Sequence, residues 1–87
     1  MSPIALKYLK YAFEHYLQTS NKDYSYRFSD ANDMFNAICA VRQLYEYGYI
    51  DNVSEYTIKE PITVSSDIIN YSLTDLAINY MRRNREL

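Results

Sequence analysis

The chain has a single glycine, Gly48, and two prolines among its 87 residues. Tight turns and hairpins depend on glycine and proline, because these residues adopt backbone angles that most others avoid. Such a low content argues against a fold made of many short strands joined by tight turns. The composition therefore favours helices combined with a few strands.

The length and composition are typical of one globular domain. Hydrophobic residues make up 48% of the chain and charged residues 23%, and we expect a single domain over residues 1–87. The one cysteine, Cys39, cannot form an internal disulfide, which favours a cytoplasmic setting. Charged residues such as Lys7, Lys10 and Glu14 occur at short intervals in the first twenty residues, so this segment fits neither a signal peptide nor a membrane span.

Three amphipathic segments predict helices, each preceded by a capping residue. The first runs from Ile4 to about Thr19 after the cap Ser2, the second runs to about Tyr47 after the cap Ser29 or Asp30, and the third runs from Asp75 to about Asn84 after the cap Thr74. Alternation of polar and apolar residues predicts a short strand at Tyr24–Phe28. Two β-prone runs, Glu55–Val64 and Ile68–Leu73, predict a hairpin that turns at Ser65, Ser66 and Asp67.

Apolar periodicity predicts which side chains form the core. We expect burial of Ile4, Leu9, Phe13, Met34, Ile38, Val41, Leu44, Leu73, Leu76 and Tyr80. On the second helix, the predicted inward stripe is Ala31, Met34, Ile38, Val41 and Tyr45, and the predicted outward face is Asn32, Asn36, Cys39, Ala40, Gln43 and Tyr47.

Two runs of the sequence resemble parts of winged-helix proteins. Residues 38–50, Ile-Cys-Ala-Val-Arg-Gln-Leu-Tyr-Glu-Tyr-Gly-Tyr-Ile, look like a recognition helix that closes on Gly-Tyr-Ile before the wing. Residues 71–77, Tyr-Ser-Leu-Thr-Asp-Leu-Ala, resemble the end of such a domain, with Ala77 where glycine is usual. The layout is similar to small YjcQ-like winged-helix proteins of phage and prophage origin. This resemblance implies an α+β winged helix with three main helices and a small antiparallel sheet and wing.

The helix-turn-helix within this layout is expected to be reduced. A complete one needs two helices between the first strand and Gly-Tyr-Ile, and only residues 29–47 are available for them. The positioning helix is therefore absent or shortened to one turn around Asp30–Met34.

The sequence contains no recognisable catalytic or metal-binding constellation, so we expect neither an enzyme nor a cofactor. His15 is the only histidine, and it has no carboxylate or cysteine at ligand spacing. Cys39 has no Cys-x-x-Cys partner. A single glycine cannot build a phosphate-binding loop.

Charge is distributed unevenly along the chain. Residues 1–29 carry four basic and two acidic side chains (+2), residues 30–67 two and seven (−5), and residues 68–87 three and two (+1). The isoelectric point is near 5.2. DNA affinity depends largely on neutralisation of the phosphates by basic side chains. The segment that contains the predicted recognition helix and wing has a net negative charge, which is the wrong sign for binding DNA.

Two hypotheses of function remain open. The first is a small DNA-associated transcriptional regulator, of a phage or mobile element, because asparagine and glutamine side chains pair with adenine. Its nucleic-acid-binding residues would be Asn32, Asn36, Gln43, Lys59, Arg82 and Arg83. The two arginines also fit a structural role, since cations stabilise the negative end of a helix. The second hypothesis is a protein–protein interaction module whose winged helix has lost DNA binding.

The first helix is apolar over an arc at least twice the ~100° that a surface helix needs, which predicts a homodimer. The predicted interface consists of Ile4, Tyr8, Tyr11, His15 and Ile78. The alternative is that the wing hairpin or the Tyr24–Phe28 strand covers this flank within one chain. The high tyrosine content, 11 against three phenylalanines, fits an adhesive aromatic surface, but an AT-rich genome is the favoured explanation.

Overall fold

The computed structural model of the chain describes residues 1–53 and 67–84. In chain order, the elements are α1 (Pro3–Thr19), β1 (Asp23–Arg27), α2 (Ala31–Glu46), β2 (Ile50–Asp51), β3 (Ile68–Leu73) and α3 (Asp75–Arg83). The described part is therefore α+β, with three helices and a small three-stranded antiparallel sheet. The predicted strand at Glu55–Val64, the turn residues Ser65 and Ser66, and Lys59 lie outside the described residues.

The predicted helix caps are confirmed. The side chains of Ser2, Asp30 and Thr74 each accept a hydrogen bond from the backbone N–H three residues later, at 3.2, 2.8 and 3.2 Å. These bonds satisfy amides that the first turn of a helix leaves without a partner. Gly48 follows α2 with a φ of +77°, a left-handed angle that favours glycine. A single helix occupies the chain between β1 and β2.

The strands lie in the order β1–β3–β2, which makes β1 an edge strand on one side of β3. Tyr24 faces Tyr71 across the β1–β3 pair, and Ile50 faces Leu73 across the β2–β3 pair. Tyr71 and Leu73 are buried, whereas the alternate residue Asn70 is exposed. The face of the sheet that carries Tyr71 and Leu73 therefore packs against the helices, whereas the other face carries the exposed Asn70 and the buried Ser72.

Most of the predicted core is confirmed. Leu9, Phe13, Ile38, Val41, Leu44 and Leu73 are buried, and Met34 and Tyr80 are half-buried. The prediction is wrong for Ile4 and Leu76, which are 42% and 51% exposed. Consecutive helix positions are rotated by about 100°. Burial of Ala5 in α1 and of Ala77 and Ile78 in α3 therefore turns Ile4 and Leu76 toward solvent.

The inward face of α2 differs from the predicted stripe. The buried residues of α2 are Ala37, Ile38, Ala40, Val41 and Leu44. Ala40, predicted to face outward, is buried, and Tyr45, predicted to face inward, is exposed. Helix α2 packs against α1, and each of the two helices buries small residues, Ala5 and Ala12 in α1 and Ala37 and Ala40 in α2.

Candidate functional site

The predicted base-reading residues of α2 are only partly available for contact. Asn32 is exposed and Asn36 is half-buried. The Gln43 side-chain oxygen accepts a hydrogen bond from Ser2 Oγ at 2.8 Å, which ties α2 to the start of α1. The most prominent apolar side chain on the outward face is Phe35, which is 56% exposed. The outward face of α2 therefore combines polar groups with an unshielded aromatic ring.

The arginines that were predicted to contact phosphates do not lie on α2. Arg82 and Arg83 are exposed in the last turn of α3, where their charges complement the helix dipole. Residues 30–53, which include α2, carry four acidic side chains and one basic side chain, Arg42. The described surface around α2 is therefore acidic.

The flank of α1 that was predicted to form a dimer interface is largely covered by the chain itself. Tyr8 is only 1% exposed, and Ile78 is also buried. The prediction that these two side chains are accessible to a second chain at a dimer interface is therefore wrong. Tyr11 stacks on Tyr26 of β1, with ring centroids 5.6 Å apart and planes 6° apart. His15 contacts the ring of Tyr24 at 5.3 Å between centroids. Strand β1 thus covers the flank, as the alternative proposed, and among the five predicted interface residues only Ile4 is exposed.

Asp33 joins three elements beneath this flank. Its carboxylate accepts a hydrogen bond from the Tyr8 hydroxyl at 2.6 Å, one from the Tyr26 hydroxyl at 2.7 Å and one from the Ser29 amide at 3.0 Å. The bond from Tyr8 is the main reason why the pKa of Asp33 falls to about 2. Burial, followed by the bond to Asp33, raises the pKa of Tyr26 to about 12. The same two causes also raise the pKa of Tyr8. The carboxylate and the two tyrosine hydroxyls form hydrogen bonds that link α1, β1 and α2, which indicates a structural role.

An exposed aromatic surface lies where α2 ends and α3 begins. Tyr47 stacks on Tyr49, with centroids 5.7 Å apart and planes 14° apart, and Tyr49 stacks on Tyr80 at 5.0 Å and 27°. We call these three rings the tyrosine stack. Tyr47 is 49% exposed, and Leu76 is exposed close to Gly48.

Backbone contacts hold the tyrosine stack in place. The Tyr49 amide donates to the Leu44 carbonyl at 2.9 Å, which closes the end of α2. Thr74 caps α3 and also donates its hydroxyl to the Gly48 carbonyl at 2.8 Å, while its amide donates to the Tyr49 carbonyl at 3.1 Å. The turn that carries the tyrosines is therefore attached to the N-cap residue of α3.

One side of α3 extends the tyrosine stack. Leu76, Tyr80 and Arg83 are spaced at i, i+4 and i+7, so they lie along one face of the helix. Leu76 and Arg83 are exposed on this face. The surface therefore combines aromatic rings, an aliphatic side chain and a guanidinium group.

The metal-binding chemistry of the described part of the chain is limited. Residues 1–53 and 67–84 contain no cluster of three or more side chains able to hold a metal ion. Cys39 is a free thiol of intermediate exposure on α2. In the same residues, none of the helices combines the length and hydropathy needed to cross a bilayer.

Comparison with known proteins found no matching family model, no matching curated protein and no matching solved structure. The resemblance to winged-helix proteins therefore stays a prediction from the sequence.

Proposed function

We propose that this chain is a non-catalytic winged-helix binding module whose partner is another protein. The winged-helix part is supported by the element order helix, strand, helix, then strands, and by the sheet order β1–β3–β2. The single helix α2 between β1 and β2 fits a helix-turn-helix that has lost its positioning helix.

The observation that carries the proposal is the tyrosine stack, in which Tyr47 is exposed, together with Leu76 and Arg83, which are exposed on the face of α3 that carries Tyr80. Tyrosine and arginine are enriched among the residues that dominate binding energy at protein interfaces. A tyrosine ring provides a large contact area and loses little conformational entropy on binding. Here Tyr49 and Tyr80 are half-buried and stacked, so their positions are set before a partner arrives.

The surface defines the chemistry of the partner. An apolar side chain packs over Leu76 and the face of Tyr47, and a carboxylate pairs with the guanidinium of Arg83. We therefore propose a protein segment that presents an aliphatic or aromatic residue next to an acidic one. The acidic character of residues 30–53 disfavours the phosphate backbone of DNA as the ligand.

The test uses retention of proteins from source-cell lysate on the immobilised chain, followed by titration of the purified partner. Leu76→Asp places a charge in the apolar surface, and we expect it to weaken binding by about 30-fold or more, the effect of losing one interface hot spot. Gln18→Asp is the matched control, because Gln18 is an exposed α1 residue outside the surface. A partner retained equally by both variants contradicts the proposal.

DNA binding is the second candidate function, because Asn32 is exposed on the outward face of α2 and Asn36 lies one turn further along. Gel shifts with AT-rich duplexes at about 50 mM salt test it, since electrostatic contacts are strongest at low salt. If DNA is the ligand, Asn36→Ala relaxes the sequence preference, whereas Arg82→Ala weakens binding to all sequences alike. Absence of any shift under these conditions removes this candidate.

A further inference from the structure

Among the residues that the structure describes, no strand lies beside β1 on the side away from β3. Lys22 faces Leu73 and Phe28 faces Asp67 in hydrogen-bonded pairs, each 2.9 Å between amide nitrogen and carbonyl oxygen. Hydrogen-bonded pairs alternate along antiparallel strands, so Tyr24 and Tyr26 direct their backbone groups toward β3. The backbone groups of residues 23, 25 and 27 therefore point away from the sheet.

This outer edge has unused hydrogen-bond donors. The Asp23 amide donates to the Asn21 side chain at 3.0 Å. Among the residues that the structure describes, none accepts a hydrogen bond from the amide of Ser25 or of Arg27. The side chains of residues 23, 25 and 27 are exposed. An edge strand of this kind is a template for pairing with another strand.

We propose that β1 pairs in antiparallel orientation with β1 of a second copy of this chain, about a two-fold axis through Ser25. The Ser25 amide of each copy donates to the Ser25 carbonyl of the other. The Arg27 amide donates to the carbonyl of the partner's Asp23. The pairing joins the two sheets into one continuous sheet and is independent of the binding surface at the tyrosine stack.

The charge pattern of β1 selects this register. When Ser25 lies on the axis, Asp23 faces the partner's Arg27 at both ends, and opposite charges directly across a strand pair are stabilising. An axis through Asp23 or through Arg27 would instead place like charges opposite each other. A register shifted by two residues would remove both ion pairs. The strand is thus complementary to itself, as a symmetric interface requires.

The present contacts of these charged residues are compatible with the pairing. Arg27 forms an ion pair with Asp67 of its own chain at 2.5 Å, but both side chains are more than half exposed. A guanidinium has five donors, so Arg27 can hold two carboxylates. Asp23 accepts a hydrogen bond from Ser72 Oγ and keeps an exposed side chain.

Sedimentation velocity from about 5 to 500 µM, the range of weak self-association, tests the proposal. We expect the wild-type chain to shift from 10.3 kDa toward twice that mass. Ser25→Pro removes the outward amide and the side-chain hydrogen bond from Ser25 Oγ to Asn70, but it leaves the backbone bonds between β1 and β3 intact, and proline is tolerated on edge strands. This variant should remain a single chain with an unchanged circular dichroism spectrum.

Charge reversal provides a second variant that does not alter the backbone. Arg27→Asp places two acidic side chains opposite each other in each pair and should abolish the shift in mass. Adding Asp23→Arg to the same chain restores opposite charges and should restore the shift. A wild-type chain that remains at 10.3 kDa up to the highest concentration overturns the proposal. A dimer that persists in both Ser25→Pro and Arg27→Asp also overturns it.

Cross-linking locates the axis. In a Cys39→Ser background, Ser25→Cys should form an intermolecular disulfide, because Cα atoms in a hydrogen-bonded pair are about 5.5 Å apart. Asn70→Cys is the matched control on the same face of the neighbouring strand β3. Strand spacing places position 70 of one chain about 14 Å from position 70 of the other chain, which is too far for a disulfide. Equal cross-linking at both positions contradicts the proposed register.

Discussion

The hydrogen bond from Tyr8 to Asp33 provides the sharpest test of how this fold is held together. Tyr8→Phe removes the hydroxyl that lies 2.6 Å from Asp33 Oδ1 and keeps the buried ring. A hydrogen bond to a charged group contributes about 1.5–3 kcal/mol to stability. We therefore expect Tyr8→Phe to lower the free energy of unfolding by about 2 kcal/mol.

Urea denaturation measures this loss, and the slope of the free energy with urea should stay unchanged because the fold is retained. A double-mutant cycle with Asp33→Asn isolates the pairwise interaction. The Tyr8→Phe substitution should cost much less when Asp33→Asn is already present. A loss below about 0.5 kcal/mol for Tyr8→Phe, or additive losses in the double variant, would refute the reasoning.

The same bond predicts how stability depends on pH. The hydrogen bond from Tyr8 is the main reason why the pKa of Asp33 falls from 3.8 to about 2. A group whose pKa is lower in the folded state stabilises that state above its unfolded pKa. This contribution, about 1–2 kcal/mol after allowance for solvent screening, is lost as the pH falls from 3.8 toward 2. In Asp33→Asn, stability should fall less steeply over this interval.

Other substitutions test the turn and the surface beside it. Gly48→Ala forces a left-handed φ of +77° on a side chain and should cost about 1–2 kcal/mol in urea denaturation. Thr74→Ala removes both the cap of α3 and the bond to the Gly48 carbonyl, so its loss should exceed the ~1 kcal/mol of an ordinary cap. Leu76→Asp should leave stability within about 0.5 kcal/mol of wild type because the side chain is exposed. Tyr8→Asp should unfold the chain, since it places a second carboxylate beside Asp33 in the interior, and a folded variant by circular dichroism would contradict this.

The sequence predicted those features of the fold that depend on local signals. The caps at Ser2, Asp30 and Thr74, the end of α2 just before Gly48 and the strand Ile68–Leu73 are all present. Caps and helix ends require particular residues at particular positions, so one sequence contains enough information to locate them.

The orientation of helix faces was harder to predict. Tyrosine is apolar over most of its ring and polar at its tip, so its position in a periodic pattern does not indicate whether it is buried. Tyr8 is buried and Tyr45 is exposed, the reverse of the prediction for both. Alanines such as Ala40 contribute little to a hydrophobic pattern, although Ala40 is fully buried.

The candidate surfaces depend on contacts between distant parts of the chain. The tyrosine stack brings Tyr80 of α3 against Tyr49, which follows α2. The open edge of β1 follows from the strand order and from the phase of its hydrogen bonds with β3. Periodicity within one segment contains no information about either arrangement.

The central claim, that this module binds a protein at the tyrosine stack, is tested most directly by photo-crosslinking in the source cells. A photoreactive amino acid is placed at position 76 beside the stack, at position 32 on the outward face of α2, or at the exposed control position 18. We predict a discrete protein adduct from position 76 that is absent from positions 18 and 32. An adduct with DNA from position 32, without a protein adduct from position 76, would contradict the account.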